Sequence, residues 1–137
     1  MAAVAALPAR SQTELLDAIQ HSIYNQPPTD WSTVTNLGVM RAVPEVRETV
    51  NLATQYMKSG YEPDALIARL GEIVCHDNFT EMHAYKHHQA VVEEFYATRE
   101  PWRWMHLVCG AQAAAISFGK NMAVYEEALE LFHMAAE

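Results

Sequence analysis

The sequence predicts an all-α fold, a single-domain bundle of six to seven helices. Three observations carry this. Apolar residues recur at spacings of three and four along most of the chain, and long strictly alternating runs are absent. Glycine is only 5 of 137 residues, too few for a turn-rich sheet protein. Prolines and capping residues fall between the periodic segments rather than inside them.

Each element follows from local chemistry. Ser11 begins the first helix as N-cap, and Glu14 completes a capping box. Leu15, Leu16, Ile19 and Ile23 form its apolar stripe, and Pro27-Pro28 bounds it, since the residue before a proline is driven out of the helical region. Thr29 or Asp30 caps a short second helix through Trp31, Val34, Leu37 and Met40. Pro44 opens a third, with Val46, Val50, Ala53 and Met57 as its apolar positions and Lys58-Ser59-Gly60 as its end. Pro63-Asp64 starts a fourth, whose stripe reads Leu66, Ile67, Leu70, Ile73 and Val74. Asp77 and Asn78 favour caps over helix interiors, so a break is expected there, with a fifth helix from Phe79 to Ala97. Pro101 starts a sixth through Trp104, Leu107, Val108, Ala111, Ala115 and Phe118, and Met122 to Ala136 forms a seventh. Residues 1–137 read as one helical domain, with 1–10 as an N-terminal arm.

Composition narrows the function classes. With 9 Lys+Arg against 17 Asp+Glu the formal net charge is −8, which disfavours a phosphate-tracking surface and hence nucleic acid. No apolar run reaches the ~18 residues of a membrane span. The start, MAAVAALPARS, lacks the basic n-region and long apolar run of a secretory signal. Cys75 and Cys109 alone make no disulfide framework, and a cytoplasmic location is expected.

Histidine is the unusual component. Six of the seven histidines lie from His76 onward, four of them within CHDNFTEMHAYKHH. On a helix His83 and His87 stand one turn apart, about 6 Å along the axis, within reach of one transition-metal ion. His76, a further two turns back, and His106 on the next helix are the additional candidate ligands. Cys109, Glu72, Glu130 and His133 supply other donors. Imidazole-rich sites take iron, zinc, copper or nickel alike, so the ligand set does not choose the metal. In size, helicity and the His83/His87 spacing the chain resembles hemerythrin-like four-helix proteins. It lacks their second histidine-plus-carboxylate pair and their later His-x4-Asp. Of the ExxH motifs of ferritin-like di-iron proteins, only Glu130/His133 is present.

Three functional expectations follow. The first is a small helical oxidoreductase or oxygenase, with a metal on the histidine cluster and a small-molecule substrate, for example an aromatic one. In it His83, His87, Tyr85 and His106 act catalytically, and Trp102, Trp104 and Cys109 line the pocket. The second is a metal-free isomerase, cyclase or dehydratase using histidine acid–base chemistry in the same pocket. The third is a non-catalytic helical module for protein–protein interaction or dimerisation. The small residues Ala111, Ala114, Ala115 and Gly119 permit close helix approach, inside the bundle or across the two-fold axis of a homodimer. Against the first two stands the simpler reading of tryptophans as core and of histidines as hydrogen-bonded or solvated.

Overall fold

The computed structural model describes residues 9–25, 44–76, 82–117 and 124–134. These form six helices: α1 Gln12–Tyr24, α2 Pro44–Lys58, α3 Pro63–Cys75, α4 Met82–Ala97, α5 Trp104–Ser117 and α6 Val124–Met134. No strand occurs among the described residues, and the fold is all-α. The helix expected at residues 30–40 lies outside them, as do residues 77–81 in the expected break and Gly119. On either side of residues 77–81, α3 stops at Cys75 with His76 as C-cap, and the described part of α4 runs from Met82.

Local signals act as the sequence implies. Glu14 N–H donates to Ser11 Oγ at 3.2 Å and Ser11 N–H donates to Glu14 Oε2 at 2.7 Å, the reciprocal capping box. The bond from Ser11 N–H, with the Ser11 hydroxyl as a smaller cause, holds the Glu14 carboxyl below the usual carboxylate range. At the end of α2, Gly60 turns the chain at φ +72°, a conformation that costs a side chain a Cβ clash. Its N–H donates to Met57 O at 3.1 Å, which satisfies one of the helix's last carbonyls.

The core joins Leu15, Ile19 and Ile23 of α1, Leu66, Leu70 and Ile73 of α3, Phe95 of α4, and Leu107, Ala111 and Ala115 of α5. α2 contributes Val46, Thr49, Leu52, Ala53 and Tyr56, a face rotated from the expected one. Val50 and Met57 are only partly buried. The rotation follows from two hydroxyls that the fold satisfies. Thr49 Oγ1 lies 2.7 Å from Ser22 Oγ, whose hydroxyl also lies 2.8 Å from Ile19 O. Tyr56 donates to Glu62 O at 2.7 Å and accepts from Gln12 Nε2 at 2.8 Å.

α5 is the hub of the bundle. It packs most extensively on α2 and α4, and also touches α3 and α1. Among the described residues, α6 shares no extensive packing with the other helices.

Candidate functional site

The expected histidine cluster is dispersed. α4 carries His83, Tyr85 and His87 in its first half, which is exposed on nearly all sides, Tyr85 at 45 % exposure. The ligand reading needed His83 and His87 to turn inward, and α4 turns them outward. The same row, continued at four-residue steps, is buried only further along at Val91 and Phe95, where α4 meets α5. His88 is the member of this run that faces the body. It packs against Gly71 of α3, where an added Cβ would lie 3.1 Å from the imidazole Nε2. Burial, with the neighbouring His87 charge as a smaller cause, holds its pKa below the ordinary 6.5. Among the described residues no three His, Cys, Asp or Glu side chains are grouped so as to hold a metal ion.

His106 and His76 are each engaged elsewhere. His106 Nε2 lies 3.0 Å from Thr98 Oγ1, bracing the turn between α4 and α5. His76 is 4 % exposed at the end of α3. Its Nε2–H donates to Glu126 Oε1 of α6 at 2.7 Å, since an ionised carboxylate only accepts. Around its Nδ1 lie the Tyr24 hydroxyl at 3.3 Å and the Glu72 carbonyl at 3.0 Å. The neutral ring accepts from Tyr24, and the imidazolium donates to the carbonyl, so both protonation states find a partner. The bond from His76 holds the Glu126 carboxyl below its ordinary range, and burial pushes the Tyr24 hydroxyl up. Glu126 ties α6 to the body. Glu130 and His133 are both exposed.

The expected pocket walls also separate. Trp104 packs against the core, edge-on to Phe95 with centroids 5.6 Å apart and tilted to Tyr56 at 6.5 Å. Trp102 is 63 % exposed. Burial pushes the Cys75 thiol up, which lowers its thiolate fraction and argues against a nucleophile there. Cys109 is exposed.

Another arrangement emerges on α5. Between Trp104 and Ser117 the helix carries no Asp, Glu, Lys or Arg. Leu107, Val108, Ala111 and Ala115 face the core, with Ala114 packed against it, so the described part of the small-residue stripe takes the first of its two expected uses, packing inside the bundle. A different face remains exposed: Met105, Cys109, Gln112 and Ile116, spaced four, three and four residues apart. At 100° per residue these lie within about 40° of one line along the helix. Met105 and Ile116 are 52 % and 43 % exposed, and Trp102 extends the stripe beyond the first turn. A helix that is apolar all round belongs in an interior, yet here one side meets water. The sequence held this signal in the uncharged run of α5, but periodicity could not separate two apolar faces.

No protein-family model, curated protein or solved structure matches the chain.

Proposed function

We propose that the protein is a non-catalytic helical module that pairs with a second copy of itself through the outward stripe of α5. The observation that carries this reading is the exposed, uncharged row Met105, Cys109, Gln112 and Ile116 on the helix at the centre of the bundle. Its four-three-four spacing is that of a coiled-coil seam, along which two helices bury matching side chains. Charge favours a second copy at this face. Two chains of formal net charge −8 repel each other over most of their surface, and an uncharged seam lets them approach without placing like charges in contact. Across a two-fold axis each apolar side chain meets the same surface patch, and the amide of Gln112 donates and accepts, so it finds a partner in either orientation. From Met105 to Ile116 the seam runs about 16 Å, shorter than a standard interface requires, which places the dimer at the weak end of stable association.

The enzymatic readings need histidines that converge. The described geometry gives His83 and His87 to solvent, His88 to Gly71, His106 to Thr98 and His76 to Glu126. Sedimentation velocity over a wide concentration range tests the module. The expected outcome is a monomer–dimer equilibrium that Met105→Glu shifts to monomer while circular dichroism and Tm stay unchanged. A wild-type chain that remains monomeric into the millimolar range, or a Met105→Glu variant that still dimerises, overturns the proposal.

A further inference from the structure

On the opposite side of the bundle's central contact, α2 turns a different kind of surface to solvent. Arg47, Asn51 and Gln55 stand at successive four-residue steps along it, with Glu48 and Leu52 in the adjoining row. Together with Arg10, just before α1, they line a cleft of about 340 Å³, within the range of small-molecule sites. Leu52, 5 % exposed, forms the apolar floor.

Three features make this cleft more than a surface dent. First, its polar groups are uncommitted. Among the described residues, the side chains of Arg10, Arg47, Asn51 and Gln55 have no ion-pair or hydrogen-bond partner, whereas the guanidiniums of Arg69 and Arg103 pair with Asp17 and Glu100. Second, Arg10 is placed in advance. The Tyr61 hydroxyl donates to Arg10 O at 2.8 Å, and the capping box fixes Ser11 beside it. Tyr61 is itself held against Tyr56, with ring centroids 5.5 Å apart. Third, the lining charges run against the chain as a whole: two guanidiniums and one carboxylate sum to +1 on a protein of formal net charge −8.

We infer that this cleft binds a small organic anion that also carries a hydrogen-bond donor, the pattern of an amino acid or a hydroxy acid. Guanidiniums form charge-assisted, planar pairs with carboxylate or phosphate oxygens. Glu48 accepts from an ammonium or hydroxyl group on the same ligand, and the amides of Asn51 and Gln55 bond along its length. A bare anion meets the guanidiniums but gains nothing from Glu48, whose charge opposes it. The site therefore selects the bifunctional ligand.

The experiment is an NMR titration of the full chain with L-glutamate, citrate and inorganic phosphate, followed on the side-chain amides of Asn51 and Gln55. Glutamate and citrate are expected to give saturable shifts, with phosphate weaker. Arg47→Ala, an exposed position whose loss leaves the core intact, should weaken glutamate binding about tenfold, the loss of one charged hydrogen bond. Arg99→Ala, an exposed cation outside the cleft, should leave it unchanged. Glu48→Gln should weaken glutamate and strengthen phosphate. Non-saturating shifts for all three anions, or equal weakening by Arg47→Ala and Arg99→Ala, overturn the site. Phosphate binding as tight as glutamate, undisturbed at Glu48→Gln, overturns the selectivity.

Discussion

The outward faces of α2 and α5 make an instructive pair, because the two helices pack on each other and share one core. α2 shows water a row of guanidinium, carboxylate and amide groups: Arg47, Glu48, Asn51 and Gln55. α5 shows water Met105, Cys109, Gln112 and Ile116, without a formal charge along its whole length. Nothing in the packing of the monomer demands this difference, since each helix already buries an inner face, α2 on α1 and α5, and α5 on α2, α4, α3 and α1. Polar groups in a cleft are matched by a small ligand that brings its own charge, whereas an uncharged stripe is matched by another apolar helix. The two proposed sites thus fall on adjacent helices with outward faces of opposite character.

The sharpest way to break the comparison is to cut the same helix on both sides. Leu107 is fully buried and Met105, two residues earlier, is half exposed. Leu107→Ala should cost about 2–5 kcal/mol in urea unfolding, the sum of lost transfer energy and a residual cavity. Met105→Ala should stay within about 0.5 kcal/mol for the monomer, as surface substitutions do, while weakening self-association. Similar losses for the two in dilute protein would mean that α5 has no free face, and the contrast with α2 would collapse.

A smaller effect probes the α2 side. Ser11→Ala removes the hydroxyl that caps α1 and loosens the segment that carries Arg10. A loss of about 1 kcal/mol is expected, the usual contribution of an N-cap. Anion binding in the cleft should fall in parallel, while the α5 dimer should not respond. A capped and an uncapped protein that bind glutamate alike would show that Arg10 is not positioned from its own helix.

Much of the architecture was legible because its signals are local. The capping box at Ser11 and Glu14, the proline at Pro63 and the turn at Gly60 each act within a few residues, and each appears where expected. The buried face of α2 was misjudged by a rotation, because Thr49 and Tyr56 look polar until Ser22, Gln12 and Glu62 supply their partners. Histidine spacing was read correctly and its direction was not. His83 and His87 share a helical row that continues at four-residue steps into Val91 and Phe95, and only tertiary packing decides that the row is covered at Val91 and Phe95 and open to water at the two histidines. The tie between His76 and Glu126 spans 50 residues, and no local pattern announces it.

That tie and the His88 contact lead to the smallest effect, a dependence of stability on pH in two separate steps. Folding holds His88 neutral to lower pH than the unfolded chain does. Just below its ordinary 6.5 the unfolded state therefore binds more protons, so the stability from His88 is complete above about pH 6.5 and is lost as pH falls through the folded value. Glu126 is also lowered, by the bond from His76, and its contribution is complete above its ordinary 4.5 and lost on further acidification. The order of the steps distinguishes the contacts. His88→Gln should flatten the upper step of a Tm-against-pH profile and leave the lower one. Glu126→Gln should reduce the lower step, which Glu14 of the capping box shares, and leave the upper one, and should also free α6 from the body, increasing amide exchange along Val124–Met134. Neither step touches the outward faces of α2 or α5 directly, so ligand binding and dimerisation should follow pH only as far as the fold does. A dimer that dissociates between pH 7 and 6 while Tm stays constant would place a titrating group in the seam, where the sequence of α5 puts no charged side chain and only His106, bonded to Thr98, as an ionisable imidazole.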